Sequence, residues 1–153
     1  MVTLEGPLAD RAAWSAVGHC PIEQTMAVVG TRSAMLILRE AYYGTTRFDD
    51  FAQRVGITRA ATSARLAELV DAGLLTRRPY REPGQRTREE YVLTDAGTDL
   101  MPVVWGMFEW GRRHLGQTRL RLTHLGCGAP VTVEIRCAEN HVVAPEEIAV
   151  ELA

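Results

Sequence analysis

The sequence contains no lysine, and all seventeen of its basic residues are arginine. Because this bias extends to positions with no plausible role, it indicates a genomic composition rather than a function. The chain also lacks any apolar run close to the roughly 18–20 residues that a membrane span needs. Its N-terminus has no basic flank followed by an apolar stretch, so no signal peptide is evident. We therefore expect a cytoplasmic protein with no membrane partner.

Cysteine is scarce as well. Cys20, Cys127 and Cys137 are irregularly spaced, which does not fit a disulfide scaffold. The chain has 153 residues, of which 46% are hydrophobic and 24% charged. This composition is ordinary for a globular protein, and the length allows one domain with a sizeable core plus an appended element.

Residues 48–94 form the most informative segment. Two helical patterns are interrupted at residues 55–57, and Thr58 is a good N-cap for the second helix. Two runs with strand character follow, separated by the polar turn 81–88, which contains a Pro-Gly pair. The order of helix, turn, helix and basic hairpin predicts a winged helix–turn–helix, within a fold that is mostly α with a small β component (α+β).

The charge distribution favours a nucleic-acid partner although the net charge is −2. Residues 58–88 contain seven arginines and three acids, which gives a local charge of +4, and the rest of the chain carries −6. Phosphates respond to the local field rather than to the total charge. The second helix and the hairpin are therefore the predicted DNA-binding elements.

Helices are also predicted before this segment. One begins at His19-Cys20-Pro21, with Ile22, Met26 and Val29 on one face, and an apolar core helix covers Ser33–Tyr43. Leu8–Val17 is predicted as a short helix carrying Trp14, and Thr45–Phe48 as a short strand.

A long helix is predicted from Thr94 to about Leu115, with a bend at Pro102. It carries two apolar stripes, one of Leu100, Val103 and Met107 and the other of Met101, Trp105 and Phe108. A helix with this much apolar surface must be buried on two sides. Since the chain is short, the second partner is most simply another copy, and we predict a homodimer formed by the 94–115 helix and the N-terminal helices.

The tail differs in character, and we predict a domain boundary between 1–116 and 117–153. Leu120–Thr123 and Val131–Arg136 predict a small β-hairpin. The set His124, Cys127, Cys137 and His141 resembles a small zinc ribbon, and two Cys with two His is a common structural zinc set. The spacing is not diagnostic, however, and a hairpin packed against its own dimer explains it equally. We predict no metal and no cofactor.

Several motifs, in order, resemble the HxlR-type winged helix–turn–helix transcriptional regulators. The matching segments run from about Cys20 to Leu115 and are Cys20-Pro21-Ile22-Glu23, Leu36-Ile37-Leu38-Arg39-Glu40, Arg47-Phe48-Asp49-Asp50-Phe51, Ser63-Ala64-Arg65-Leu66, Leu69-Val70-Asp71-Ala72-Gly73-Leu74-Leu75, Arg77-Arg78-Pro79-Tyr80 and Glu90-Tyr91-Val92-Leu93-Thr94-Asp95-Ala96-Gly97. Two departures stand out: the family often has tryptophan where Ser33 stands, and the tail lies outside the usual domain.

The resemblance implies a bacterial homodimeric regulator that binds operator DNA. Some members respond to electrophiles or oxidants through a cysteine near the N-terminus, a role that falls on Cys20 here. At a helix N-terminus, unpaired backbone amides would favour its thiolate, whereas Glu23, one turn further on, would oppose it. The alternative is a small buried residue without a sensing role. A small-molecule effector stays open, because no set of residues identifies a ligand.

The predicted DNA contacts lie on the second helix and on the hairpin turn. On the helix, Thr58 would cap it and expose amides to a phosphate, and arginines could bind guanine in a bidentate way; its residues are Thr58, Arg59, Ala60, Ser63 and Arg65. On the turn, the residues that could reach a minor groove or its phosphates are Arg81, Gln85, Arg86 and Arg88. The alternatives are an Arg65 paired with Glu68 or Asp71, and a merely solvated hairpin.

These observations predict a dimeric, sequence-specific regulator of transcription that binds a pseudo-palindromic operator and is not an enzyme. One rival is a zinc-dependent or thiol-based protein acting through the tail, although no acid–base set accompanies Cys127 and Cys137. A second rival is a protein–protein interaction module that uses the winged fold without DNA. The arginine-rich surface disfavours this second rival.

Overall fold

The computed structural model of this chain describes residues 1–13, 18–116 and 118–152. They form two compact units, one comprising Pro21–Met107 and the other the described parts of Met1–Cys20 and Phe108–Ala153. The predicted boundary between residues 116 and 117 does not coincide with this division, and it stays a prediction. No helix in the described ranges is both long enough and apolar enough to cross a bilayer.

The described chain has six α-helices and four short strands. The helices are α1 (Pro21–Val29), α2 (Arg32–Tyr42), α3 (Phe48–Val55), α4 (Arg59–Asp71), α5 (Asp95–Asp99) and α6 (Met101–His114). The strands are β1 (Thr3–Leu4), β2 (Leu75–Tyr80), β3 (Arg88–Leu93) and β4 (Ala149–Val150). Strands β2 and β3 form an antiparallel hairpin, and β1 pairs in parallel with β4.

Threonine side chains cap three of the helices. Thr31, Thr58 and Thr94 precede α2, α4 and α5, and each Oγ1 accepts a hydrogen bond of 3.0–3.2 Å from the amide three residues later. Each bond satisfies a backbone N–H that has no partner within the helix. The cap at Thr58 was predicted from the sequence and is confirmed.

The core of the larger unit lies between α2, α3, α4 and the base of the hairpin. Each helix contributes apolar side chains at 3.6-residue spacing, and the largest fully buried ones are Ile37, Leu38, Phe51, Leu66, Leu69 and Leu75. Each such side chain contributes about 1.5–3 kcal/mol by burial. This packing fixes α4 against α3, and the hairpin against both.

Two predicted elements differ in the structure. Thr45–Phe48 is not a strand: residues 45–47 have no regular secondary structure, and α3 begins at Phe48. The Tyr91 amide of β3 nevertheless donates a hydrogen bond to the Thr46 carbonyl at 2.8 Å. The long helix from Thr94 is divided at Leu100 into α5 and α6. Pro102 then falls in the first turn of α6, where its missing N–H costs no hydrogen bond.

The N-terminal region also departs from expectation. Of the predicted helix Leu8–Val17, Leu8 and Ala9 belong to a short 3-10 turn, Gly6–Ala9, residues 10–13 are not helical, and Trp14 lies outside the described residues. Helix α1 forms as predicted, but only Val29 of its apolar face is buried. Ile22 and Met26 are 74% and 55% exposed.

In the tail, the predicted hairpin is reduced to a single antiparallel bridge, from Thr123 to Pro130, which is flanked by hydrogen bonds from the His124 amide to the Ala129 carbonyl and from the Val131 amide to the Leu122 carbonyl. A second isolated bridge joins Arg136 to Val142. No residue of the described part, 118–152, is buried. With no buried side chains to hold two strands together, a hairpin is marginal.

Candidate nucleic-acid interface

Helix α4 presents a face of small side chains to solvent. Its other face is buried through Thr62, Leu66 and Leu69, as the helical periodicity predicts. Ala60, Ser63 and Ala64 are exposed. A helix surface of this kind can approach the floor of a major groove closely, because no long side chain holds it away.

Arg59 is tied to the preceding helix of the motif. Its guanidinium forms an ion pair with Asp49 on α3 and lies 4.8 Å from the centroid of the Phe48 ring. Both partners of the ion pair are largely exposed, and such pairs are worth only about 0–1 kcal/mol. A duplex can therefore replace Asp49 as the partner of Arg59 at little cost.

Arg65 forms an ion pair, the alternative to DNA contact that the sequence suggested. It is half-buried and forms an ion pair with Glu68, one turn further along α4. Its Nε is buried without a hydrogen-bond partner in the structure. The structure thus favours an intrahelical ion pair for Arg65, and its DNA contact stays a prediction.

Two of the three arginines on the strands of the hairpin are paired with acids across it, and the third, Arg88, is not. Arg78 lies directly opposite Glu90 in the register and donates a hydrogen bond of 2.8 Å from Nε to the carboxylate. Arg77 lies 3.8 Å from the carboxylate of Glu89. Opposite charges on facing strands stabilise the hairpin by up to about 1 kcal/mol per pair. These two arginines therefore stabilise the hairpin through their ion pairs.

Within the described ranges, arginines without an acidic partner lie in the turn of the hairpin and at the start of β3. Arg81 donates from Nε to the backbone carbonyl of Gln85 at 3.0 Å, and the Gln85 side chain donates to Glu82 at 3.0 Å, so the turn is held by its own bonds. Arg86 and Arg88 are exposed, and no acid among the described residues forms an ion pair with them. The arginines of the wing that have no acidic partner among the described residues thus include Arg86 in the turn and Arg88 at its junction with β3.

These pairings correct the charge count made from the sequence. The +4 of residues 58–88 leaves out Asp49, Glu89 and Glu90, which lie outside that range but pair with its arginines. Including these three acids, and Arg47, which also pairs with Glu90, changes the local charge from +4 to +2. Arg86 and Arg88 remain without an acidic partner among the described residues.

A cluster that the sequence reading missed lies in the turn-side half of the wing, which is the β2–β3 hairpin with its turn. Glu90 is only 8% exposed. The hydrogen bond from Arg78, followed by one from Thr46, lowers the pKa of its carboxyl below the ordinary value. Arg47, which directly precedes α3 at the N-cap position, has its guanidinium over the Tyr80 ring and 3.8 Å from Glu90. Two features of the sequence could have indicated this cluster: an arginine directly before α3, and a glutamate opposite an arginine in the hairpin.

Cys20 lies directly before α1, as predicted, and is partly exposed. The two other cysteines are exposed. His124 Nδ1 lies 3.2 Å from Cys127 Sγ, and the Cys137 amide donates to the His141 carbonyl at 3.1 Å. In the described ranges, however, no three His, Cys, Asp or Glu side chains come together in a way that could hold a metal ion.

Helix α3, the left-handed turn at Gly56, α4 and the basic hairpin define a winged helix–turn–helix, the fold of a class of DNA-binding transcriptional regulators. The profile of the HxlR-like helix-turn-helix family matches residues 28–119. The chain belongs to this family of transcriptional regulators. The resemblance seen in the sequence is confirmed, and regulators of this class are not enzymes.

Individual relatives agree with this assignment. The chain is 36% identical to the HTH-type transcriptional regulator Rv3095 of Mycobacterium tuberculosis over 119 residues, which cover 76% of this chain and 74% of the relative. It is similar to the crystal structure of PA1607, described as a candidate transcription factor, with a TM-score of 0.77, 29% identity, and coverage of 88% and 96% of the two chains. It is also similar to the reduced redox regulator HypR, with a TM-score of 0.55, 30% identity, and coverage of 63% and 96%.

Proposed function

We propose that two copies of this chain bind a pseudo-palindromic operator, each with α4 in a major groove and the wing on the flanking backbone. The observation that carries this proposal is the exposed small-residue face of α4, formed by Ala60, Ser63 and Ala64. It lies beside an exposed arginine and the Thr58 cap, whose helix end can receive a phosphate. Two-fold symmetry places the half-sites about one helical turn, or a multiple of it, apart.

The dimer is proposed from an apolar groove in the larger unit. It has a volume of about 620 Å³, and its apolar lining comes from α1, α2 and α6, including Ile22, Met26, Met35, Val103 and Met107. Four of these side chains are at least half exposed in a single copy. Contiguous apolar surface of this kind marks an interface, and we assign it to α1 and α6 of a second copy.

The two kinds of arginine are expected to differ in what they contribute to binding. Arg86→Ala removes a cation from the wing, so all sequences should bind more weakly and the salt slope should fall by about 0.9 for each phosphate that the protein no longer neutralises. Arg59→Ala should instead relax discrimination at one base position by about 1–3 kcal/mol. Operator selection from random duplexes, followed by titration at several salt concentrations, measures both effects.

Arg121→Ala is the matched control for this experiment, because it removes an exposed arginine from the tail. It should leave both the slope and the preference unchanged. An Arg86→Ala protein with the wild-type salt slope would contradict the role of the wing. An Arg59→Ala protein with the wild-type base preference would contradict the base-reading role.

We further propose that Cys20 senses oxidants or electrophiles. It is partly exposed directly before α1, which is one wall of the proposed dimer groove, and the similar protein HypR is a redox regulator. A modification at Cys20 could therefore change how the two copies pack. A small-molecule effector has no assigned site in this proposal, and action on genomic DNA would place the protein in the cytoplasm.

Diamide oxidises two thiols to a disulfide and is itself reduced to the hydrazine, and we expect it to join the Cys20 thiols of the two copies. This treatment should change the operator affinity of the wild-type protein by about tenfold, within the usual range of allosteric coupling. Cys20→Ser should bind equally with and without diamide. The controls Cys127→Ser and Cys137→Ser should keep the response. A response that persists in Cys20→Ser, or its absence in the wild-type protein, would refute sensing through this residue.

A further inference from the structure

The cluster in the turn-side half of the wing joins both of its strands to the helix–turn–helix. Tyr80 ends β2 and Glu90 lies on β3, while Arg47 precedes the first residue of α3. The Arg47 guanidinium carbon lies 3.0 Å from the centroid of the Tyr80 ring, and its Nη1 lies 3.8 Å from Glu90. A single cation therefore contacts both strands from the edge of α3.

Neighbouring bonds make this attachment stiff. The Glu90 carboxylate also accepts a hydrogen bond from Arg78 at 2.8 Å, and the Tyr91 amide donates to the Thr46 carbonyl at 2.8 Å. The carboxylate is buried, with a side-chain exposure of 10%. Charge-assisted hydrogen bonds are strong when water is excluded from them. Arg47 itself relies on the ring contact, because 3.8 Å is too long for a hydrogen bond to Glu90.

The angle of the wing matters because its turn lies far from the root of the hairpin, where Leu75 pairs with Leu93. A two-stranded hairpin has little stability of its own, so its direction is set by the contacts that it makes with neighbouring elements. A strand of six residues is about 20 Å long, and a tilt of about 10° about the root would therefore move the turn-side end by about 3 Å, enough to break a hydrogen bond to a phosphate. Tyr80 is the last residue of β2 before the turn, so its contact with Arg47 opposes such a tilt.

We propose that Arg47, through Tyr80 and Glu90, is a positioning residue that sets the angle of the wing and so brings Arg86 onto the DNA backbone. This inference rests on the proposed function, since it concerns how the same surface binds a duplex. It assigns to Arg47, Tyr80 and Glu90 an indirect role in DNA binding, through the position of the wing rather than through contact with DNA. Arg47 thus couples the start of the helix–turn–helix to the wing tip.

A double-mutant cycle between Tyr80, which holds the wing to Arg47, and Arg86 in the turn tests this role. In the wild-type protein, Arg86→Ala should weaken operator binding about tenfold, as expected for one charge-assisted hydrogen bond. In a Tyr80→Leu background, where the ring face for Arg47 is gone, the same change should weaken binding less than about twofold, because the wing tip no longer reaches the backbone. Tyr80→Phe retains the ring and should restore the full effect of Arg86→Ala.

Two further measurements separate positioning from general damage. Arg59→Ala should cost the same in the Tyr80→Leu background as in the wild-type protein, because α4 keeps its place. If Tyr80→Leu unfolds, Arg47→Lys replaces it in the cycle, since it keeps the charge but loses the planar stacking on the ring. An Arg86→Ala effect that is equal in all backgrounds, or absent from the wild-type protein, overturns the inference. A wild-type protein that selects no duplex overturns the proposed function itself.

Discussion

Ala60→Glu is expected to abolish operator binding while the protein stays folded. Ala60 is exposed in the first turn of α4, in the middle of the surface proposed to enter the major groove. A carboxylate there would face phosphates in both half-sites, and like-charge contacts cost several kcal/mol, which corresponds to a decrease in affinity of more than about 100-fold. Titration of the selected operator with the variant measures this decrease.

A loss of binding in Ala60→Glu would not be confused with a loss of folding. An acid in the first turn of a helix is stabilised by the helix dipole, so the melting temperature should not fall. Ala60→Gln is the matched control, since it has nearly the same size without the charge, and it should bind much more tightly than Ala60→Glu. Operator binding by Ala60→Glu within about threefold of the wild-type protein would exclude α4 from the groove.

Met107→Glu is expected to convert the dimer into a monomer and to abolish high-affinity operator binding. Met107 is 56% exposed in one copy and lines the apolar groove. In a dimer, two unpaired carboxylates would be transferred from water into an apolar contact, at a cost of several kcal/mol. In the monomer the side chain stays hydrated, so the fold should be unaffected. Sedimentation velocity and operator titration measure the two effects.

Met107→Leu is the control for this prediction. A swap between leucine and methionine nearly conserves the volume and usually costs less than about 1.5 kcal/mol, so the variant should remain dimeric. If Met107→Glu sedimented as a dimer, the assignment of the groove to a second copy would be wrong. If it were monomeric but bound the operator as tightly as before, the proposed two-fold arrangement would be wrong.

The helix–turn–helix could be predicted because its signals are local. Leu66 and Leu69 recur at helical spacing, Thr58 is a strong cap, and Gly56 takes the left-handed conformation that ends α3. Periodicity and capping depend on residues within a few positions of one another. The core followed from the same patterns, because each apolar face had to be buried.

The electrostatics of the site could not be predicted in the same way. Arg59 pairs with Asp49 across two helices, and Arg47 meets Tyr80 only after the wing has packed against α3. A charge count along the chain assigns such arginines to DNA, although folding gives them nearby partners. Sequence reading therefore predicted which residues of α4 are exposed but overestimated the positive charge around them. In the part of the chain that the structure describes, Arg86 and Arg88 of the wing remain without an acidic partner.

The tail shows another limit of sequence patterns. Alternation around residues 131–136 predicts a strand, yet the structure has only isolated bridges there and no buried residue in the described part of the tail. Alternation indicates a strand only when a partner surface buries one of its faces. Likewise, Ile22 and Met26 have helical spacing but no cover in a single copy.

Guanine methylation interference on the selected operator tests the central claim most directly. Methylation at N7 blocks the floor of the major groove, which is where α4 is proposed to lie. We predict two clusters of interfering guanines, related by two-fold symmetry and separated by about 10 base pairs or a multiple of that spacing. Binding that is insensitive to N7 methylation throughout the protected region would contradict the account.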